Sequence, residues 1–364
     1  MAQKDLMQAR TAKKDEFYTQ YQDIQNEVNA YLEYDPDVFR GKTILLPCDD
    51  PEWSNFTRFF AQNFQNFGLK KLISTSFAAE SKQIKTWQPT LFETENPNYD
   101  ADKSRTNGKI FVLDRDTNAN GVIDIDDLQW QYLEGDGDFR SNEVKKLRDE
   151  ADIIVTNPPF SLFREFLAWI MENGKKFLII GHQNAITYKE VFPLIRDNKI
   201  WLGKGFSGGA THFLSQYNDV AVAGNHIAGM IRVSGVVWFT NIDHGRRHQP
   251  LQLMTMDDNI KYSKHKEVKN VGYPKYDNFD AIEVPFTDSI PSDYDGVMGV
   301  PISFLDKYCP EQFEIVGISL ELATTKPKNL PKEKQGGPAF YLKRDNEYQR
   351  MYCRIVIRKK TITI

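Results

Sequence analysis

Short, wholly apolar runs that alternate with amphipathic segments constrain this chain more than any other feature. Ile44-Leu45-Leu46, Leu72-Ile73, Ile153-Ile154-Val155 and Phe177-Leu178-Ile179-Ile180 contain no polar residue. A strand that is apolar at every position is buried on both faces, the condition of a parallel sheet covered by helices on each side. The segments between them read as helices. They are residues 15–33, "EWSNFTRFFAQNFQNFG" closed by Gly68, "SNEVKKLRDE" with Ser141 as N-cap, "SLFREFLAWIMENG" and "TYKEVFPLIRDN". The alternation predicts an α/β domain over residues 1–240, with its ligand crevice outside the carboxyl ends of the strands. From about 78 to 130 the pattern weakens into polar turns and reads as an insertion. After 240 it breaks down into a Pro-, Asp- and Tyr-rich stretch, so residues 241–364 are expected to form a second, irregular and β-containing region.

Composition narrows the classes. At 364 residues, with 40% hydrophobic and 13% aromatic residues, the chain has ample material for a core. Its N-terminal stretch is polar and lacks the apolar centre of a secretory signal. No apolar run is long enough to span a bilayer. Cys48, Cys309 and Cys353 are odd in number and widely spaced, which supports neither a disulfide framework nor a zinc site. A cytoplasmic protein with no membrane partner is expected. Residues 241–364 carry 19 Lys and Arg against 17 Asp and Glu, so the overall charge of −4 leaves −6 for residues 1–240. Seven Lys and Arg against two acids at 342–360 permit phosphate contacts from the C-terminal part, with a solvated strand as the plain alternative.

The chemistry is concentrated in "ADIIVTNPPFSLFREFLAWI", residues 151–170. An apolar strand runs into Asn157-Pro158-Pro159-Phe160 and resumes as a helix. Two consecutive prolines fix the backbone where a mere turn would use Gly or Asp. Such a turn offers acceptors without a competing N–H: the Asn157 side-chain oxygen and the Pro158 carbonyl. Acceptors around both N–H bonds of an exocyclic amine draw its nitrogen towards tetrahedral geometry and expose the lone pair. Phe160 supplies a face on which a flat base can stack, a contact worth roughly 1–3 kcal/mol. The plain alternative is a rigid surface turn.

This turn resembles the [DNS]-P-P-[FYW] signature of N6-adenine DNA methyltransferases. More narrowly, "KKDEFYTQY", "CDDPEWSNF", "GDGDFRS", "DIIVTNPPFSLFREFL", "NKIWLG", "YPKYDNFDAIEV" and "YDGVMGVPISFL" are similar to the EcoRI family of adenine-specific methyltransferases. The matches keep a consistent order over nearly the whole chain, with 78–130 the main exception. The resemblance implies a Rossmann-like fold that transfers a methyl group from S-adenosylmethionine to adenine N6 in double-stranded DNA. The target base would be flipped from the stack, because N6 is out of reach inside a duplex. Asn157 and Pro158 would accept from N6, Pro159 would hold the turn and Phe160 would stack. A cognate restriction endonuclease is an implied partner in the same system.

Cofactor contacts implied by the resemblance fall on Phe17, Tyr18 and Thr19, and on Cys48, Asp49 and Asp50 in "PCDDP". Asp49 or Asp50 would meet the ammonium group or the ribose, with an Asp cap on the next helix as the alternative. That loop lacks the glycines with which the usual FxGxG cradles the cofactor on backbone amides. In "GDGDF", Asp138 would accept from the cofactor's adenine amine while Phe139 packs on its ring; a simple turn is the alternative. Three further stretches stay open. Residues 116–127 fit a Ca²⁺ loop with Asp116, Asn118, Asn120, the Val122 carbonyl and Asp127 as ligands, or an Asn-rich hairpin tip. Glycine-rich 203–213 is no Walker loop and reads as a loop beside the target base or a surface turn. Arg246 and Arg247, with Lys261 and Lys264, are candidates for contacts to DNA phosphate or guanine. Two other functions share these features: a methyltransferase of the same fold acting on RNA adenine or a protein glutamine, and a non-catalytic DNA-binding relic.

Overall fold

The computed structural model describes residues 19–49, 54–78, 91–206, 210–214, 230–344 and 347–360. It contains two compact units, Met1–Ala185 with Leu202–His244, and Ile186–Trp201 with Gly245–Ile364.

The first unit is built on an eight-stranded sheet of order β4-β3-β2-β1-β5-β6-β10-β7. Its strands are β1 (Thr43–Leu46), β2 (Lys71–Thr75), β3 (Lys109–Leu113), β4 (Gln129–Tyr132), β5 (Ile153–Thr156), β6 (Lys176–His182), β7 (Trp201–Leu202) and β10 (Val236–Thr240). A separate hairpin pairs β8 (Ala210–Leu214) with β9 (Met230–Ser234). The α/β class holds, but the sheet is mixed where a parallel one was expected. β2, β1, β5 and β6 run parallel as neighbours. β3, β4 and β10 are antiparallel to the strands they extend from. For β3 and β4 the burial pattern gives the reason: every residue of β1 and β5 is buried, whereas β3 alternates buried with half-buried positions and β4 buries only Trp130. A strand covered on one face is free to pair antiparallel.

Helices lie on both faces. On one, α1 (Tyr21–Leu32) and α2 (Asn55–Gln62) bury Ile24, Val28, Phe56, Phe59 and Phe60 against Ile44, Leu46, Val155, Leu178 and Trp238. Each such aromatic or branched side chain contributes about 1.5–3 kcal/mol through removal from water. The other face takes α4 (Phe163–Glu172), which follows α3 (Asn142–Glu150) in the chain. There Phe163 meets Phe239 at 4.9 Å, and a Cβ at Gly181 would lie 2.4 Å from the Phe163 ring.

Helix boundaries follow local chemistry. Ser54 starts α2 by accepting from the Phe56 amide at 3.1 Å. The helix expected to run on to Gly68 breaks at Asn63, whose side chain bonds the Phe59 carbonyl at 2.9 Å. Gly68, at φ +62°, closes the short turn that follows. Ser141 caps α3 as expected, accepting from Val144 at 3.2 Å. The helix expected over "TYKEVFPLIRDN" is confined to Phe192–Arg196, with a proline in its first turn.

In the second unit, β11 (Ile282–Glu283), β12 (Met298–Pro301), β16 (Arg354–Lys359) and β13 (Phe313–Ile318) form a sheet in that order. β14 (Tyr341–Arg344) and β15 (Glu347–Arg350) make a hairpin. Among the described residues no helix is long and apolar enough to cross a membrane.

Candidate active site

The Asn157–Phe160 turn leaves the carboxyl end of β5, next to β1, and enters a 3₁₀ turn at Phe160–Leu162 before α4. Pro158 is buried, Asn157 and Pro159 are half-buried, and Phe160 packs in part on the core cluster beneath it. The strand buries everything up to Thr156, and the prolines keep the next residues from continuing it or starting a helix early.

Hydrogen bonds and two peptide links close a circuit at the root of this turn. The Thr156 hydroxyl donates to Asp49 Oδ2 at 2.6 Å, and the Ser54 hydroxyl donates to Asp49 Oδ1 at 2.7 Å. Asn55 Nδ2 donates to the Thr19 carbonyl at 2.8 Å. Asn157 Nδ2 donates to the Thr19 hydroxyl oxygen at 3.4 Å, which returns the path to the residue after Thr156. Asp49 itself is only 6% exposed. Its amide donates to the Thr75 carbonyl at 3.1 Å, and its carbonyl accepts from the Ser74 hydroxyl. The ends of β1, β2 and β5 are therefore laced together at the place where an open α/β sheet binds ligands.

The end of β2 is also the floor of the "GDGDF" loop. A Cβ at Gly137 would fall 2.2 Å from the Ser76 carbonyl, and one at Gly108 would fall 2.5 Å from it. Glycine is required at both positions for so close an approach. The Ala78 amide donates to the Asp136 carbonyl at 2.7 Å, fixing the loop beside the strand.

Other predicted site residues take specific positions. Phe17, Tyr18 and Asp50 lie outside the described residues. Thr19 and Asp49 join the circuit around the turn, and Cys48 is half-buried beside it. Asp138 is held in a bidentate pair with Arg140, at 2.9 Å from Nε and 2.6 Å from Nη2. The Arg140 guanidinium keeps the Asp138 carboxyl below the usual carboxylate range. Phe139 is buried against Phe166 and Trp169 of α4, at 5.0 and 5.7 Å. Ser54, Asn55 and Thr156 are circuit members that sequence reading missed. Their only sequence signal is polarity flanking apolar elements, which any helix cap shares.

In the 116–127 loop, Asp127 Oδ1 accepts from the Thr117 and Asn118 amides at 2.7 and 3.1 Å, and Oδ2 accepts from Asp124 at 3.2 Å. Asp116, Asn118 and Asn120 likewise accept from amides of the same loop. These side chains hold the turn. Among the described residues no three His, Cys, Asp or Glu side chains gather as metal ligands. In the glycine-rich stretch, the Lys204 and Gly205 amides donate to buried Glu27, while residues 207–209 lie outside the described residues.

The candidate DNA contacts of the second unit separate into two kinds. Arg247 is buried, stacks over Trp201 at 3.7 Å and bonds Asn198, which corrects its expected presentation to phosphate or guanine. A dipeptide of arginines reads as a basic loop until the ring that covers one of them, 46 positions away, is placed. Arg246 is half-buried. Lys261 is exposed over Tyr262, and Lys264 is exposed and paired with Asp288 at 2.9 Å.

Comparison with known proteins follows the same lines. Residues 5–360 match the family described as adenine-specific methyltransferase EcoRI. The chain is 42% identical to the Type II methyltransferase M.EcoRI of Escherichia coli over 316 residues, covering 85% of this chain and 88% of that protein. It is 32% identical to M.MpnI of Mycoplasma pneumoniae, with 97% of each covered, and 33% identical to M.MgeORF184P of Mycoplasma genitalium, with 97% and 98% covered. No solved structure matches the chain.

Proposed function

The chain belongs to the EcoRI family of adenine-specific methyltransferases, and from that premise we propose how its own residues methylate adenine N6 in duplex DNA. The observation that carries the reading is the Asn157–Phe160 turn, set at a strand's carboxyl end and tied at its root by the Thr156–Asp49 and Asn157–Thr19 bonds. Asn157 Oδ1 and the Pro158 carbonyl accept the two hydrogens of a flipped adenine's amine. This aims the nitrogen lone pair away from the ring plane. Pro159 carries no N–H to compete, and Phe160 receives the base by stacking.

The family uses S-adenosylmethionine, which when bound supplies a methyl group already activated on a positively charged sulfur. The polar side chains at the ends of β1, β2 and β5 suit such a ligand, and glycines 108 and 137 let the 135–139 loop close on β2 beside them. Thr19, Cys48 and the backbone of residues 47–49 would hold it, together with Asp138 and Phe139. Engagement of Asp138 by Arg140 leaves it to act as part of an existing ion pair. Arg246, Lys261 and Lys264 are proposed as DNA contacts, and a cognate restriction endonuclease as the partner in a modification system.

The test is radiolabelled methyl transfer from S-adenosylmethionine to unmethylated plasmid DNA by wild type and Asn157→Ala. Label recovered as N6-methyladenine from wild type, and lost by at least a hundredfold in the variant, is the expected result. Label on another atom or on protein sinks the reading.

A further inference from the structure

We propose that Asp49 is a positioning residue for the catalytic turn and not a ligand of the methyl donor; this rests on the methyl-transfer reading above. A carboxylate at the end of the first strand looks like a partner for an ammonium group or a ribose. Its surroundings give it another task. Both oxygens accept from hydroxyls of this chain, Oδ1 from Ser54 and Oδ2 from Thr156. Thr156 is the last residue of β5 and is bonded directly to Asn157. The Asp49 main chain is in turn tied to β2 through Thr75 and Ser74, so it is a fixed post rather than a mobile side chain.

The geometry of the turn depends on such a post. Residues 157–160 gain rigidity from the prolines, but the prolines do not set the angle at which the turn leaves the strand. The Thr156–Asp49 bond sets that angle at its root. The Asn157–Thr19 bond sets the side-chain amide so that Nδ2 faces Thr19. An amide with its nitrogen held on that side directs its oxygen to the other, the orientation an acceptor for N6 requires. The same Ser54 hydroxyl donates to Asp49 and accepts from the Phe56 amide, so the start of α2, β1 and β5 move as one piece. A misplacement of about 1 Å at a reacting group costs on the order of a hundredfold in rate.

The experiment uses the full chain with three substitutions. Thr156→Val removes the hydroxyl at nearly constant shape, Thr156→Ser restores it, and Asp49→Asn changes the post itself. Single-turnover methyl transfer to DNA is read beside S-adenosylmethionine binding by calorimetry and thermal unfolding. Thr156→Val is expected to slow methyl transfer by about 10–100-fold with donor affinity within about twofold of wild type. Thr156→Ser is expected to recover most of the rate, and Asp49→Asn to bind the donor as wild type does. Donor binding weakened tenfold or more in Asp49→Asn, with an unchanged rate in Thr156→Val, overturns the proposal and makes Asp49 a ligand. Ser54→Ala removes the other hydroxyl from the same carboxylate and replaces Thr156→Val should that variant not fold. It is expected to slow transfer about 3–10-fold, and an unchanged rate overturns the proposal. The wild-type rate separates this proposal from the one it rests on. A wild type that never methylates DNA sinks the methyl-transfer reading, and Asp49 is then judged by donor binding alone.

Discussion

Replacing Glu283 by Gln gives the most direct test of how the second unit is held together. Glu283 ends β11 and Arg354 begins β16, with β12 between them. The two side chains meet across β12: Arg354 Nε lies 3.0 Å from each carboxylate oxygen, and Nη2 lies 2.7 Å from Oε1. The Tyr276 hydroxyl donates to Oε2. Gly299, the register partner of Glu283, leaves the space for this bridge, since a Cβ there would fall 2.2 Å from the Tyr276 oxygen. The carboxylate is 3% exposed and the guanidinium 11% exposed. Gln turns one acceptor into a donor facing donors and leaves the guanidinium uncompensated, a loss of about 3–5 kcal/mol. Domains of ordinary stability hold only about 5–15 kcal/mol, so the effect should be plain in urea unfolding followed by far-ultraviolet circular dichroism. Glu283→Met combined with Arg354→Met removes both charges and should return to within about 1–2 kcal/mol of wild type, because desolvation then disappears with the attraction. Glu283→Gln within about 1 kcal/mol of wild type refutes the reasoning, as does a double variant that loses the sum of the two singles.

Phe160→Ala should weaken binding of DNA carrying a flipped or mismatched target base by about 1–3 kcal/mol, read by fluorescence anisotropy, while Phe160→Tyr keeps most of the affinity. Arg247→Ala should lower the unfolding temperature and leave the salt dependence of DNA binding unchanged, because its guanidinium lies on Trp201; a flatter salt slope would mean it contacts phosphate. His182 accepts from the Asn184 amide at 3.1 Å, and burial lowers its pKa from 6.5, with the Ser234 backbone opposing. The unfolded chain then binds the proton first as pH falls, so stability contributed by neutral His182 is present above about pH 6.5 and is lost below it. Unfolding free energy compared between wild type and His182→Gln should show that slope in wild type alone.

Much of the first unit was legible because its signals are local. Ile44–Leu46 and Ile153–Val155 announce strands buried on both faces, and Asn157–Phe160 announces a fixed turn whatever surrounds it. Strand direction at the edges was not legible. β3 carries the same apolar types as the centre, and only its one-sided cover separates it, while β4 alternates Gln with aromatic residues over too few positions to fix a direction. The second unit offered a composition and little else, since a short strand such as Ile282–Glu283 has no period to detect. Contacts that join distant segments were invisible for a plainer reason: nothing in a sequence says that Arg247 meets Trp201, or that Glu283 meets Arg354.

The same limit explains how the loop after β1 could look deficient and still be built for its place. A glycine-rich loop presents backbone amides to a ligand, and "PCDDP" has no glycine to do so. Pro47 contributes a carbonyl that accepts from the Thr75 hydroxyl at 3.1 Å, and Asp49 accepts from two hydroxyls more. Pro47 and Asp49 therefore bond their own strands, where a glycine loop is a donor surface turned towards a ligand. The rigidity of this chain's loop comes from β2 and β5, and the loop passes that rigidity to Asn157. A chain arranged in this way loses catalysis when the lacing is cut even if the donor still binds, whereas loss of a glycine cradle would remove both together.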